Sequence, residues 1–288
     1  MAVDTYALTT LANLKTWLGI GDSGSDGFLE NLIDRTSDYL ESLCDRKFKA
    51  RDFVEWYDGD GTNRLQLDQW PVVKVYRVGY GVSDALSISG NVAGDISASV
   101  MVRHDNVSVN RIASNGTVTN TDFAYSSYKT TDTLASAINS TTGFSATSAV
   151  NTSVKWLHPV GGVDVVDTTY TVTYASDSES EYRIDHDSGS VYLRSSPHWY
   201  QTNTDVLEAQ RFPGTKRSIL VEYKAGYETL PDDVEQACIE VAAALYSRKD
   251  VDDNLASESL GDYSYSIRPP ADVMESAMRM LAPYRKIR

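Results

Sequence analysis

The sequence predicts an α+β fold whose helical body is split between the two ends of the chain. Three observations predict it. Apolar residues recur at helical spacing near both termini. Stretches of strict alternation lie just inside them. Residues 81–180 have a different composition, rich in Ser, Thr, Asn and Gly, with Arg103, Arg111, Lys129 and Lys155 as their only Lys or Arg residues. The predicted organisation is a discontinuous core of about four helices with antiparallel strands, residues 1–80 and 181–288, interrupted by a mostly β domain at 81–180.

Leu8, Leu11, Leu14 and Leu18 step by three and four residues, which predicts a first helix capped by Thr9 or Thr10 and ending at Gly19. A second helix begins at Asp26 and carries the stripe Leu29, Leu32, Ile33, Thr36, Leu40 and Leu43. Arg46, Lys47 and Lys49 follow, where cations favour the negative end of a helix dipole. The period then falls to two. Phe53, Glu55 and Tyr57 alternate with Val54 and Trp56, Asp58-Gly59-Asp60-Gly61 reads as a hairpin turn, and Leu65 and Leu67 lie on the return strand. Val72–Val78 reads as a further strand.

In the middle segment, Ala98–Val102 and Thr169–Tyr174 alternate like strands, and Asp132–Asn139 reads as one helix. The aromatic residues Tyr125, Tyr128, Trp156, Tyr170 and Tyr174 suit either a modest core or a ligand-binding face, and the core reading is preferred. Beyond Glu181, strands are predicted at Tyr182–Ile184, Val191–Leu193 and Ile219–Tyr223. Pro231 opens a third core helix with Asp232, Asp233 and Glu235 in its first turn and Val234, Ala237, Cys238, Val241 and Leu245 facing inward. A polar loop, Asp250–Arg268, leads to a last helix from Pro269 and Pro270, with Val273, Ala277, Leu281 and Tyr284 on one stripe. The end, Tyr284-Arg285-Lys286-Ile287-Arg288, is basic in a chain of net charge −14.

That charge argues against bulk binding to nucleic acid, although an acidic wall suits a passage through which a polyanion slides without sticking. No apolar run approaches the roughly 18 residues of a membrane span, and Met1-Ala2-Val3-Asp4 has neither the basic start nor the apolar stretch of a secretory signal. The expectation is therefore a cytosolic chain with no membrane partner. Cys44 and Cys238 read as small buried apolar residues.

Several motifs match by letter only. Gly19-Ile20-Gly21-Asp22-Ser23-Gly24 fits GxGxxG, but it follows a helix where dinucleotide binding needs a preceding strand. Gly21-Asp22-Ser23-Gly24 lacks an upstream histidine, since the first of the four histidines is His104. A calcium loop starting at Asp58 would need Gly and Glu where Asn63 and Gln69 stand. The histidines have neither helical i, i+4 spacing nor a nearby cysteine. No nucleophile–base pair, metal cluster or phosphate loop emerges, so no enzyme activity and no cofactor is expected.

The two ends resemble the head–tail connector (adaptor) family of tailed bacteriophages. The resemblance is carried by Leu8-Thr9-Thr10-Leu11-Ala12-Asn13-Leu14-Lys15 with Leu29-Glu30-Asn31-Leu32-Ile33. It continues in Tyr57-Asp58-Gly59-Asp60-Gly61 with Leu65-Gln66-Leu67 and Trp70-Pro71-Val72, then in Val221–Tyr227, in Leu230–Ala237 and in Ser257–Ser264. It implies a structural protein of the virion neck, assembled in the host cytoplasm. The implied assembly is a homo-oligomeric ring of about twelve subunits below the portal protein. Such a ring extends the channel for genomic DNA, without specific binding, and carries the stopper or tail protein. The family's C-terminal segment inserts into the portal, which falls here on Tyr284, Arg285, Lys286, Ile287 and Arg288, with Tyr263, Tyr265 and Arg268 as loop contacts. The middle domain departs from shorter members. The alternative role is a neck or decoration protein whose β domain binds carbohydrate, fibres or another virion protein.

Overall fold

The computed structural model describes residues 2–177, 182–193, 211–248, 258–260, 263–265 and 270–286. The fold is α+β. In chain order the elements are α1 (Leu11–Leu18), α2 (Asp26–Cys44), β1 (Arg51–Tyr57), β2 (Arg64–Gln66), β3 (Val72–Gly90), β4 (Ser97–Val102), β5 (Asn106–Ile112), β6 (Val118–Ala124), α3 (Thr131–Asn139), β7 (Phe144–Ser148), β8 (Val160–Asp164), β9 (Thr169–Asp177), β10 (Tyr182–Asp185), β11 (Ser190–Leu193), β12 (Ile219–Ala225), α4 (Asp232–Ser247), β13 (Glu258–Leu260), β14 (Tyr263–Tyr265) and α5 (Pro270–Leu281). They fall into two compact units: Met1–Arg51 with Asp68–Val73 and Ala225–Arg288, and Asp52–Leu67 with Lys74–Lys224.

The first unit holds α1, α2, α4 and α5. The Thr10 side chain accepts the Asn13 N–H and so caps α1, and Gly19, at φ 68°, ends it in the left-handed conformation. The GxGxxG match is thus the link between two helices. Leu8, Leu40, Cys44 and Phe48 pack with Val234, Ala237, Cys238, Val241, Ala277 and Leu281 in one apolar cluster. Leu14, Leu29 and Ile33 pack with Ile239, Ala242 and Ala243 in a second, flanked by Leu11 and Leu32. The two ends of the chain therefore share one body, with α4 contributing to both clusters. Each fully buried Leu or Ile contributes about 1.5–3 kcal/mol relative to exposure. Leu245, expected to face inward, is 46% exposed. Four-residue steps overrun the 3.6-residue turn, and the buried face shifts onto Ala242 and Ala243. Glu235 does more than complement the α4 dipole: its Oε1 accepts from Asn13 Nδ2 at 2.7 Å and Thr9 Oγ1 at 3.0 Å.

The second unit is mostly β. One sheet runs β1-β12-β3-β7, with β9 also paired to β3; a second runs β6-β5-β4-β8; a third runs β10-β11-β2. A core that includes Leu86, Ile88, Val100, Val109, Leu134, Ile138, Phe144 and Val172 is drawn wholly from residues 85–172. Tyr125 is buried in it and Tyr128, Tyr170 and Tyr174 pack against it, so these aromatics serve the core. The helix α3 stands where expected, with a capping box between Thr130 and Thr133.

Two sequence expectations are corrected. The strand predicted to end at Val78 continues to Gly90. Gly79 and Gly81 flank a register shift within the β3–β9 pairing. The Asp58–Gly61 segment does not close a hairpin, because β1 and β2 belong to different sheets. Residues 213–217 account for this. The Gly59 N–H donates to the Thr215 carbonyl at 2.9 Å, Asp58 accepts from the Arg217 N–H at 2.7 Å, and a Cβ at Gly59 would lie 1.6 Å from the Pro213 oxygen.

Candidate docking segment

Of the eight residues assigned to partner contacts, Tyr284, Arg285 and Lys286 are fully described; Ile287, Arg288 and Arg268 lie outside the described residues. Tyr263 and Tyr265 lie on β14, which pairs antiparallel with β13 in the register Glu258↔Tyr265 and Leu260↔Tyr263. The segment read as a polar loop thus contains a short strand pair. Its two strands are separated in sequence by Gly261-Asp262, a two-residue spacing that signals a hairpin.

Arg46 organises the segment around Tyr284. It is 2% exposed. Its guanidinium carbon sits 4.4 Å from the Trp70 ring centroid, 5.3 Å from Phe48 and 5.4 Å from Tyr227. Nη1 donates to the Tyr284 carbonyl at 3.2 Å and Nη2 to the Trp70 carbonyl. The Tyr284 ring meets Phe48 and Tyr227 edge-on, at 6.2 Å in each case. Burial lowers the Arg46 pKa, and Tyr227 opposes the shift; a guanidinium starts high enough to stay charged regardless.

The next residues continue inward and outward by turns. The Lys286 N–H donates to the Cys44 carbonyl at 3.0 Å, and its Nζ pairs with Asp68 at 2.6 Å. Arg285 is exposed. Tyr284 and Lys286 therefore tie the chain to its own helical unit, and Arg285 is the described side chain of this segment left exposed. Arg46→Lys keeps a charge but loses the planar stack and the paired donors. It is expected to destabilise the helical unit by about 2 kcal/mol, read as a lower denaturant midpoint in circular dichroism.

Glu41 is the second centre that sequence reading missed. It is 3% exposed, on the buried face of α2. Its Oε1 accepts from Arg51 Nη2 at 2.7 Å and the Phe48 N–H at 3.0 Å, and its Oε2 from Lys47 Nζ at 2.7 Å. Arg51 in turn lies 4.1 Å from the Tyr6 ring centroid. Lys47 is thus a partner to a buried carboxylate as well as a residue of the helix end.

Residues 8–72 match the family model described as phage gp6-like head-tail connector protein, so the connector resemblance read from the sequence holds over that stretch. No curated protein matches the chain. Among solved structures, a chain in the neck of an empty GTA particle, computed with C6 symmetry, matches at 12% identity and a TM-score of 0.40, over 100% of this chain and 95% of its own.

Proposed function

With a gp6-like connector segment at residues 8–72, we propose that this protein is a structural component of a virion neck: a head–tail adaptor. Copies form a ring, of about twelve subunits on the family pattern, docked below the portal. The ring extends the DNA channel and offers the attachment platform for a stopper or tail protein. The connector match carries this reading. The shared packing of Leu11 and Leu32 with Ile239, Ala242 and Ala243 supports it, since the ends of the chain act as one body. The net charge of −14 suits a channel wall that genomic DNA passes without adhering. In this reading residues 81–180 form an accessory domain inserted in the adaptor core and directed away from the lumen, which an insertion of that size would crowd.

Portal contact is assigned to the end of the chain, with Arg285 and Arg288 as its cations. The Arg285 side chain is engaged in neither the Arg46 nor the Asp68 contacts, so R285E/R288E tests docking separately from folding. Mixed with portal and viewed by negative stain, the parent protein is expected to form rings on the portal. The double variant is expected to lose about tenfold or more in portal affinity with an unchanged melting temperature. Rings that persist in the variant remove the C-terminal anchor from the proposal; no ring with the parent protein removes the adaptor function.

A further inference from the structure

The cations of the middle segment are not spread evenly. Of its four, Arg111 is closed off by Asp95, with nitrogen–oxygen distances of 2.5 and 2.8 Å. The other three open onto two clefts of the β unit, of about 750 and 400 Å³, that share His104 in their walls. Lys129 and Lys155 line the larger; Arg103 lines the smaller, with Lys216 and Arg217. Arg103, Lys129, Lys155, Lys216 and Arg217 are all exposed, and among the described residues none of their charged groups has a carboxylate partner. Elsewhere in the same acidic chain, Lys15 is matched with Asp26, Lys47 and Arg51 with Glu41, and Lys286 with Asp68, while exposed cations such as Arg35, Arg64 and Arg183 lie singly outside both clefts. Five unmatched cations on adjoining clefts form a positive surface on a protein of net charge −14.

The lining points to the kind of anion. Val54, Ala124 and Val154 give the larger cleft an apolar part, and Asp105 and Glu222 place two carboxylates in its wall. A phosphate backbone would meet those carboxylates with repulsion and would leave the apolar part unused. A protein segment uses all three features: acidic side chains on the cations, apolar side chains on Val54 and its neighbours, and backbone N–H groups towards Asp105.

We propose that these clefts are a docking site for an acidic, partly apolar segment of another protein. The site uses no residue of the helical unit or of the C-terminal segment assigned to portal contact, so it is tested separately from the neck assignment. The test is anisotropy of a fluorescein-labelled oligo-glutamate peptide containing two leucines, titrated with the full chain at low ionic strength. Binding is expected, together with a loss of about tenfold or more in K129E/K155E and a smaller loss in K129Q/K155Q. R183E, which removes an exposed cation lying outside both clefts, is expected to bind as the parent does. Equal losses in R183E and K129E/K155E overturn the site in favour of general charge attraction, and absence of peptide binding overturns it outright. Tighter binding of a mixed-sequence DNA duplex than of the peptide, lost in K129E/K155E, would make the surface a nucleic-acid site instead. Thermal melts of each variant matched to the parent exclude unfolding as the cause of a loss.

Discussion

Glu41→Ala is expected to destabilise the helical unit by about 3–5 kcal/mol, the range for removing one member of a buried ion pair. The carboxylate accepts from Arg51, Lys47 and the Phe48 N–H at 2.7–3.0 Å while almost fully enclosed. Truncation leaves the Arg51 guanidinium, whose side chain is 16% exposed, without its counter-charge, and it leaves a buried backbone N–H without an acceptor. Lys47, at 39% exposure, can turn to water and loses little. Glu41→Gln separates these terms. It preserves shape and one acceptor oxygen, so the Phe48 bond survives while the charge goes, and its cost is expected to fall between those of the parent and the alanine variant. Removing both partners, as in E41L/R51M, is expected to recover part of the loss, because no buried charge is then stranded. Urea unfolding followed at the helical circular dichroism band measures all three. An E41A midpoint within error of the parent would show that the cluster contributes nothing to stability.

The helical body was legible because its signals are local. Leu11, Leu14 and Leu18 report α1 through spacing, Thr10 and Gly19 report its ends, and Asp232, Asp233 and Glu235 report the start of α4. The body's two centres of polar stabilisation were not legible. Arg46 gathers Phe48, Trp70, Tyr227 and Tyr284, residues separated by up to 238 positions, and no window of sequence holds such a cluster. Glu41 lies one position after Leu40 on a buried stripe, where sequence period alone makes a charged residue look like a solvent-facing neighbour. The strands show the same division. Alternation marked β1 and β2, but pairing depends on distant segments: β2 pairs with β11, Leu65 facing Val191, and its nearness to β1 in sequence decided nothing. Gly79 and Gly81 carry two meanings, a turn or a bulge, and the choice rests with β9, about a hundred residues downstream. The connector resemblance held over residues 8–72 for the reason that the helices did: its residues lie close together in the chain.

Gly226→Ala is expected to destabilise the helical unit by roughly 3–5 kcal/mol, as the sum of two costs. Gly226 has φ 109°, a conformation that suits glycine alone. It also sits where the backbone crosses another stretch closely. Its N–H donates to the Pro71 carbonyl at 2.8 Å; the Tyr227 N–H donates to Phe48 at 2.7 Å; and the Ala50 N–H donates to Tyr227 at 3.0 Å. A Cβ would meet the Phe48 oxygen at 2.7 Å and Ala50 N and Lys49 C at 2.8 Å. All three are backbone atoms, so no side-chain rotation relieves the contact, and the bridge between Lys49 and Tyr227 must open. The strain passes to Phe48 and Tyr227, the rings that hold the Arg46 guanidinium and Tyr284. Loss of hydrogen-exchange protection at Ala50 and Tyr227 should accompany the fall in stability. Gly27→Ala in the same unit is the control: it lies in α2 with open space around its Cβ, and it is expected to stabilise by about 0.5–1 kcal/mol. Equal and small effects at both positions would mean that the crossing at Gly226 can widen freely, and that the Arg46 cluster does not depend on it.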